Sequence, residues 1–244
     1  PRILGYSFLY KDILFLSCFM ITFYFFYKSL KNFNYKFLLI FSIMTAISVN
    51  LRIFAILIPI LFIFLVVIKN FHIKDYIGSF KKICFYLICF FLFLIILWPY
   101  LWSDPINNFF ELFKSVRDDL VNVKILYDGS YVSNRTLPDY YLLEWIAISS
   151  PSLQITLFLF GFFYCLVRFI KRFISIKEKS IYNDLWRGNK EELDFICLLF
   201  LISFYFFFIF FNAPLYNGWR LVYFLNIFLI YFSVNILSII EILF

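Results

Sequence analysis

Seven apolar runs divide the chain, at 13–27, 37–50, 53–68, 83–101, 153–170, 195–212 and 221–239. Several of them have 16–19 residues, near the lower limit for a helix crossing a hydrocarbon layer roughly 30 Å thick. The second and third runs are short, and Asn50-Leu51-Arg52 breaks them apart. Joined, 37–68 would make a 32-residue helix, too long without strong tilt. The flanking stretches KSLKNFNYK (28–36) and KNFHIKDYIGSFKK (69–82) are both basic. If both are cytoplasmic, residues 37–68 cross and return, or enter and leave as two half-helices. Either path brings Asn50 and Arg52 to the far side. The pattern predicts an all-α polytopic transmembrane bundle of about seven spans. We read residues 1–244 as one transmembrane domain with an extracytoplasmic loop at 102–152.

Composition strengthens this reading. Apolar residues make up 64% of the chain and charged ones 15%, and phenylalanine alone counts 39. Soluble domains hold about 45–50% apolar and about 25% charged residues. The net charge of +7 reads as a topology signal rather than a nucleic-acid footprint. Counted by loops, about 14 of the 22 Lys and Arg fall on the cytoplasmic side, including those of 168–194. The loop 102–152 carries seven of the fifteen acids. A start at Pro1 without Met and an end in apolar SIIEILF read as a segment of a longer chain.

The five cysteines (18, 84, 89, 165 and 197) lie in or beside apolar runs without a CxxC pair, so neither zinc nor a disulfide framework is expected. His72, the one histidine, has no His or Cys neighbour in its basic loop. Trp98, Tyr100, Trp102, Tyr140, Tyr141, Trp145 and Trp219 suit an interfacial aromatic belt. Asp104-Pro105 has the form of an N-cap followed by a first-turn proline. It predicts a short interfacial helix over 105–117, apolar at Ile106, Phe109, Phe110 and Phe113. Asp128-Gly129 is a turn signal, and Asn134-Arg135-Thr136 matches a glycosylation sequon.

An aromatic belt explains less well why the polar residues gather on one side. Asp12, Arg52, Asp104, Asp128, Arg135, Asp139, Glu144 and Arg220 all fall on the extracytoplasmic face by loop counting. Arginine grips phosphate through paired hydrogen bonds, and carboxylates hold divalent cations through oxygen. A charge in mid-bilayer costs about 2.5–3.5 kcal/mol on insertion scales, so Arg52 either snorkels or lines a wet cavity.

The segment PRILGYSFLYKDILFLSCFMITFYFFYKSL resembles the P-R-x-x-x-x-S-[FL]-x-x-x-D-x-x-x-F segment of GT-C membrane glycosyltransferases. It is most similar to glycosyltransferase family 39 in the wide sense, which includes protein O-mannosyltransferases and lipid A aminoarabinose transferases. FLLIFSIMTAISVNLRIFAILIPILFIF, WPYLWSDPINNF, YVSNRTLPDYYLLEWIAISSP and YNGWRLVYFLNIFLI resemble later landmarks, in order. Asp139 departs from the pattern, where an aromatic is expected.

The resemblance implies an enzyme that moves a sugar from a polyprenyl-phosphate donor to a lipid, glycan or protein acceptor. It implies inversion at the anomeric carbon, on the extracytoplasmic face of a bacterial cytoplasmic membrane. The general base is expected in a loop N-terminal to Pro1. Asp12 matches the family's second acidic position, which orients substrate or binds a metal such as Mg or Mn. Lys11, Arg52 and Arg220 are the expected phosphate binders. Asp104, Tyr140 and Tyr141 are further substrate-site candidates, with cap and belt roles as their simpler reading. Two other functions fit the same pattern, a transporter or flippase of lipid-linked sugars and a non-catalytic scaffold.

Overall fold

A computed structural model describes residues 10–32, 34–73, 76–118, 124–134, 136–174, 188–211, 215, 218 and 220–243. Nine α-helices form among these residues: α1 (Tyr10–Lys31), α2 (Tyr35–Leu51), α3 (Leu57–Ile73), α4 (Tyr76–Leu97), α5 (Pro105–Asp118), α6 (Tyr141–Ser149), α7 (Ser152–Ile174), α8 (Gly188–Phe210) and α9 (Asn226–Leu243). Short 3₁₀ segments cover Ile53–Ile56, Pro99–Leu101 and Arg220–Leu225. Five stretches are long and apolar enough to cross a membrane: α1, α4, α7, α8 and Arg220–Glu241. The fold is that of a helical membrane bundle. α2 and α3 are apolar but shorter.

The helices outrun their apolar runs because hydropathy marks only the lipid-facing middle. α4 starts at Tyr76, seven residues before its run, and α8 begins at Gly188 with charged turns. Polar residues at helix ends keep their heads in water while the backbone stays helical.

The helices pack as two units, Leu9–Leu120 and Val121–Phe244. In the first, α1 and α2 run antiparallel. The Thr22 hydroxyl donates to the Cys18 carbonyl at 2.7 Å and lies 2.9 Å from the Ser48 hydroxyl. Without water, hydroxyls between such helices must find partners within the protein. α3 returns beside α1, with the Lys69 Nζ donating to the Leu30 carbonyl. Phe26, Phe41, Phe62 and Tyr86 fill the centre, with the Phe41 and Tyr86 rings stacked at 4.7 Å. α5 starts where expected, and the Asn107 N–H donates to the Asp104 carboxylate at 3.3 Å. Ile106 and Phe110 on this helix are exposed.

The second unit opens with a hairpin that the sequence reading missed, β1 (Lys124–Tyr127) against β2 (Ser130–Ser133). Ile125 pairs with Val132 and Leu126 with Tyr131. Asp128 and Gly129 both have positive φ, as a two-residue hairpin turn requires. The following helices give α7 and α9 running parallel, with α8 antiparallel to both. α7 and α9 cross closely at Gly161, where an added Cβ would sit 2.1 Å from the Phe232 carbonyl oxygen.

Candidate functional site

The break between α2 and α3 begins at Arg52, whose backbone is extended (φ −148°, ψ 113°). Its N–H still closes the last turn of α2, donating to Ser48 at 3.0 Å, and its carbonyl starts the 3₁₀ turn by accepting from Ala55 at 3.0 Å. Pro59 then falls in the first turn of α3, where a missing N–H costs nothing. The extended backbone turns the Arg52 side chain onto Asp12, in the first turn of α1. The carboxylate is 3% exposed and the guanidinium 16%. An acid here also complements the positive end of the α1 dipole.

Neighbouring polar groups secure the same end of this unit. The Asn50 amide donates to the Leu97 carbonyl at 2.7 Å, and the Trp102 indole to the Ile95 carbonyl at 2.9 Å. Both reach carbonyls of the last turn of α4, and the Ile95 carbonyl also accepts from the Trp98 N–H at 3.3 Å. The structure therefore joins two sequence candidates, Asp12 and Arg52, in one buried pair. Arg52 is paired with Asp12 and keeps part of its side chain exposed. Lys11 belongs to α1, but its side chain lies outside the described residues. Asp104 is exposed and caps α5.

Arg220, Tyr140 and Tyr141 belong to the other unit. Arg220 is half-buried and opens the 3₁₀ turn Arg220–Leu225. Two residues earlier, the Gly218 N–H donates to the Tyr141 hydroxyl at 3.3 Å. Tyr141 is 1% exposed, packed against Tyr127 and Trp145, so it is a core residue and not a belt residue. Tyr140 is 59% exposed and fits the belt. The Tyr127 hydroxyl donates to the Glu144 carboxylate. That bond to a carboxylate, together with desolvation, pushes the Tyr127 phenol well above the ordinary tyrosine range. A cavity of about 40 Å³ between Asn134, Asp139, Tyr141 and Tyr205 has room for water and not for a sugar ring. Asn134 is buried, which sets it apart from the exposed loops where glycans attach. Arg135 and Trp219 lie outside the described residues.

One polar cluster escaped the sequence reading. Arg168 of α7 pairs with Asp194 of α8, whose carboxylate is 1% exposed. The same carboxylate accepts from the Tyr231 hydroxyl at 2.6 Å and the Asn235 amide at 2.8 Å, both on α9. Arg172 and Glu191 form a second pair at 3.4 Å. Arg168 and Arg172 lie toward the end of α7 away from Arg220, because α7 and α9 are parallel. The signal was present: Asp194 directly precedes the apolar run of α8, and Arg168 sits within the last turns of α7's run. Both looked like ordinary residues of a charged loop.

Among the described residues, no group of three or more His, Cys, Asp or Glu gathers to hold an ion. The Asp12 carboxylate faces a guanidinium, so these residues do not by themselves fit a cation site.

These features define an integral membrane protein of the helical-bundle class, with one buried ion pair at the α2–α3 break and another between α7 and α8. No protein-family model, curated protein or solved structure matches the chain.

Proposed function

We propose that this chain is part of a GT-C-type membrane glycosyltransferase, with seven passes and α5 lying along the extracytoplasmic surface. It transfers a sugar from a polyprenyl-phosphate donor to a lipid, glycan or protein acceptor. The observation that carries the reading is the buried Asp12–Arg52 pair at the α2–α3 break. It supports the quoted resemblance because it connects the Asp of the Pro-Arg segment to the basic residue of the helix–turn–helix segment.

In this reading Asp12 is a positioning residue. It takes up part of the five-donor guanidinium fork of Arg52 and fixes its direction. The remaining N–H groups donate to the phosphate oxygens of the sugar donor. The acceptor hydroxyl oxygen bonds to the anomeric carbon as the carbon–phosphate-oxygen bond breaks. The leaving electron pair departs on the lipid phosphate, and the hydroxyl proton passes to a carboxylate base. The resemblance assigns that base to a position N-terminal of this segment. By the resemblance, Arg220 of the YNGWR loop is a further phosphate-binding candidate.

One observation favours a second reading, a carrier of lipid-linked sugars. Polar contacts recur along the α7–α9 seam, from Gln154–Asn226 (3.1 Å) through Ser233 to Asn235 and Asp194. Reconstitution with labelled polyprenyl-phosphate sugars separates the two. The enzyme reading expects labelled acceptor, with transfer lowered at least about 100-fold in Arg52→Gln and in Arg220→Ala. Label that crosses the bilayer without joining an acceptor would instead establish the carrier. Unchanged transfer in both variants would falsify the site assignment.

A further inference from the structure

We infer that the outer face of α7 is a binding site for one anionic phospholipid of the leaflet that borders its C-terminal end. This goes beyond the transfer reaction and does not depend on it.

α7 is the least covered of the five long spans. Along one face, Phe160, Phe163, Tyr164 and Val167 line a groove that encloses about 610 Å³. The same groove ends at Arg168, Lys171 and Arg172. From Phe160 to Lys171 the helix rises ~16 Å. Half of a hydrocarbon core is about 15 Å. The groove is thus apolar over its first ~10 Å, from Phe160 to Val167, and cationic over the following turn, where that leaflet's headgroups lie.

The cations are held in place. Asp194 and Glu191 pair with Arg168 and Arg172 from α8. The Arg168 guanidinium also lies over the Tyr164 ring, 5.4 Å from its centre. Asp194 is buried, whereas Arg168 is 22% exposed and Lys171 is exposed. Asp194 therefore faces inward, and Arg168, Lys171 and Arg172 line the groove. This charge arrangement selects the occupant: a phosphate headgroup at the cationic end and an acyl chain on the phenylalanines. Among the described residues no carboxylate pairs with Lys171, and a neutral lipid or an apolar partner helix would bring it none.

The test uses the whole protein in nanodiscs of phosphatidylcholine with graded phosphatidylglycerol. Native mass spectrometry counts the lipids retained. The expected result is selective retention of phosphatidylglycerol, reduced at least about five-fold in the Lys171→Gln/Arg172→Gln variant. A Lys36→Gln/Lys81→Gln variant removes two cations from other helices and should retain it fully. Equal loss in both variants would mean diffuse electrostatics and overturn the site. A second measurement uses Phe163→Trp at an exposed position. Brominated phosphatidylglycerol should quench this tryptophan more strongly than brominated phosphatidylcholine. Equal quenching overturns the proposal, and so does displacement of the lipid by inorganic phosphate.

Discussion

Arg52, the extended residue between α2 and α3, closes on Asp12 in the first turn of α1. Forty residues of sequence separate them. The pair holds the α2–α3 break against α1, and it places a guanidinium where two sequence candidates meet.

Removing one member leaves a charge with little water around it. Asp12→Ala should therefore destabilise by roughly 3–5 kcal/mol, read as a lowered melting temperature in detergent. The exchange Asp12→Arg/Arg52→Asp tests whether the pair is structural only. We expect it to recover most of the stability while sugar transfer stays lost. Recovery of transfer would show that the direction of the pair does not matter.

Gly161 allows two helices to approach through their backbones. An alanine there would meet the Phe232 carbonyl oxygen at 2.1 Å, and a backbone atom in mid-helix cannot swing aside. Gly161→Ala should cost about 1–3 kcal/mol, seen as a thermal shift. Gly129 gives the contrast, since nothing lies near its missing Cβ but its φ is +73°. Gly129→Ala should cost only the left-handed backbone penalty, about 1–2 kcal/mol.

Asp194 receives hydrogen bonds from three side chains. Asp194→Ala leaves Arg168 without its counter-charge and should cost roughly 3–5 kcal/mol. Asp194→Asn keeps a carbonyl acceptor for Arg168 or Tyr231 and should be milder. Equal melting temperatures for the two variants would show that the acceptor geometry contributes nothing.

Tyr127 provides the pH dependence. Its folded pKa lies above the unfolded value of about 10. The stability from its bond to Glu144 is therefore fully present below the unfolded pKa. It is lost as pH rises through the folded one. Melting temperature against pH should fall at the alkaline end in the parent, and Tyr127→Phe should flatten that part of the curve. A phenolate difference spectrum between the two proteins should place Tyr127 among the last tyrosines to ionise.

Much of the fold was legible in the apolar pattern. The break at Asn50-Leu51-Arg52, the start of α5 at Asp104-Pro105 and the long spans follow from local composition and cap chemistry. Helix ends were less legible, because hydropathy falls where a helix enters the headgroup layer although its backbone bonds continue. The hairpin had its Asp-Gly turn as a signal, but its strands lacked a run long enough to stand out. Tyr141 resembled Tyr140 in sequence. Only packing against Tyr127 and Trp145 separates a buried ring from an interfacial one.

The sequence by itself determined that this chain is a membrane-spanning helical protein, since no water-soluble packing could cover 39 phenylalanines. It also determined which charges are costly, because Arg52 interrupts apolar residues on both sides. Tertiary structure alone decided which partners meet those charges. Asp12 reaches Arg52 because an antiparallel turn returns α2 to the start of α1. Asp194 meets Arg168, Tyr231 and Asn235 because three helices align them at one depth. Such contacts join residues tens of positions apart, and local pattern carries no information about a partner that distant.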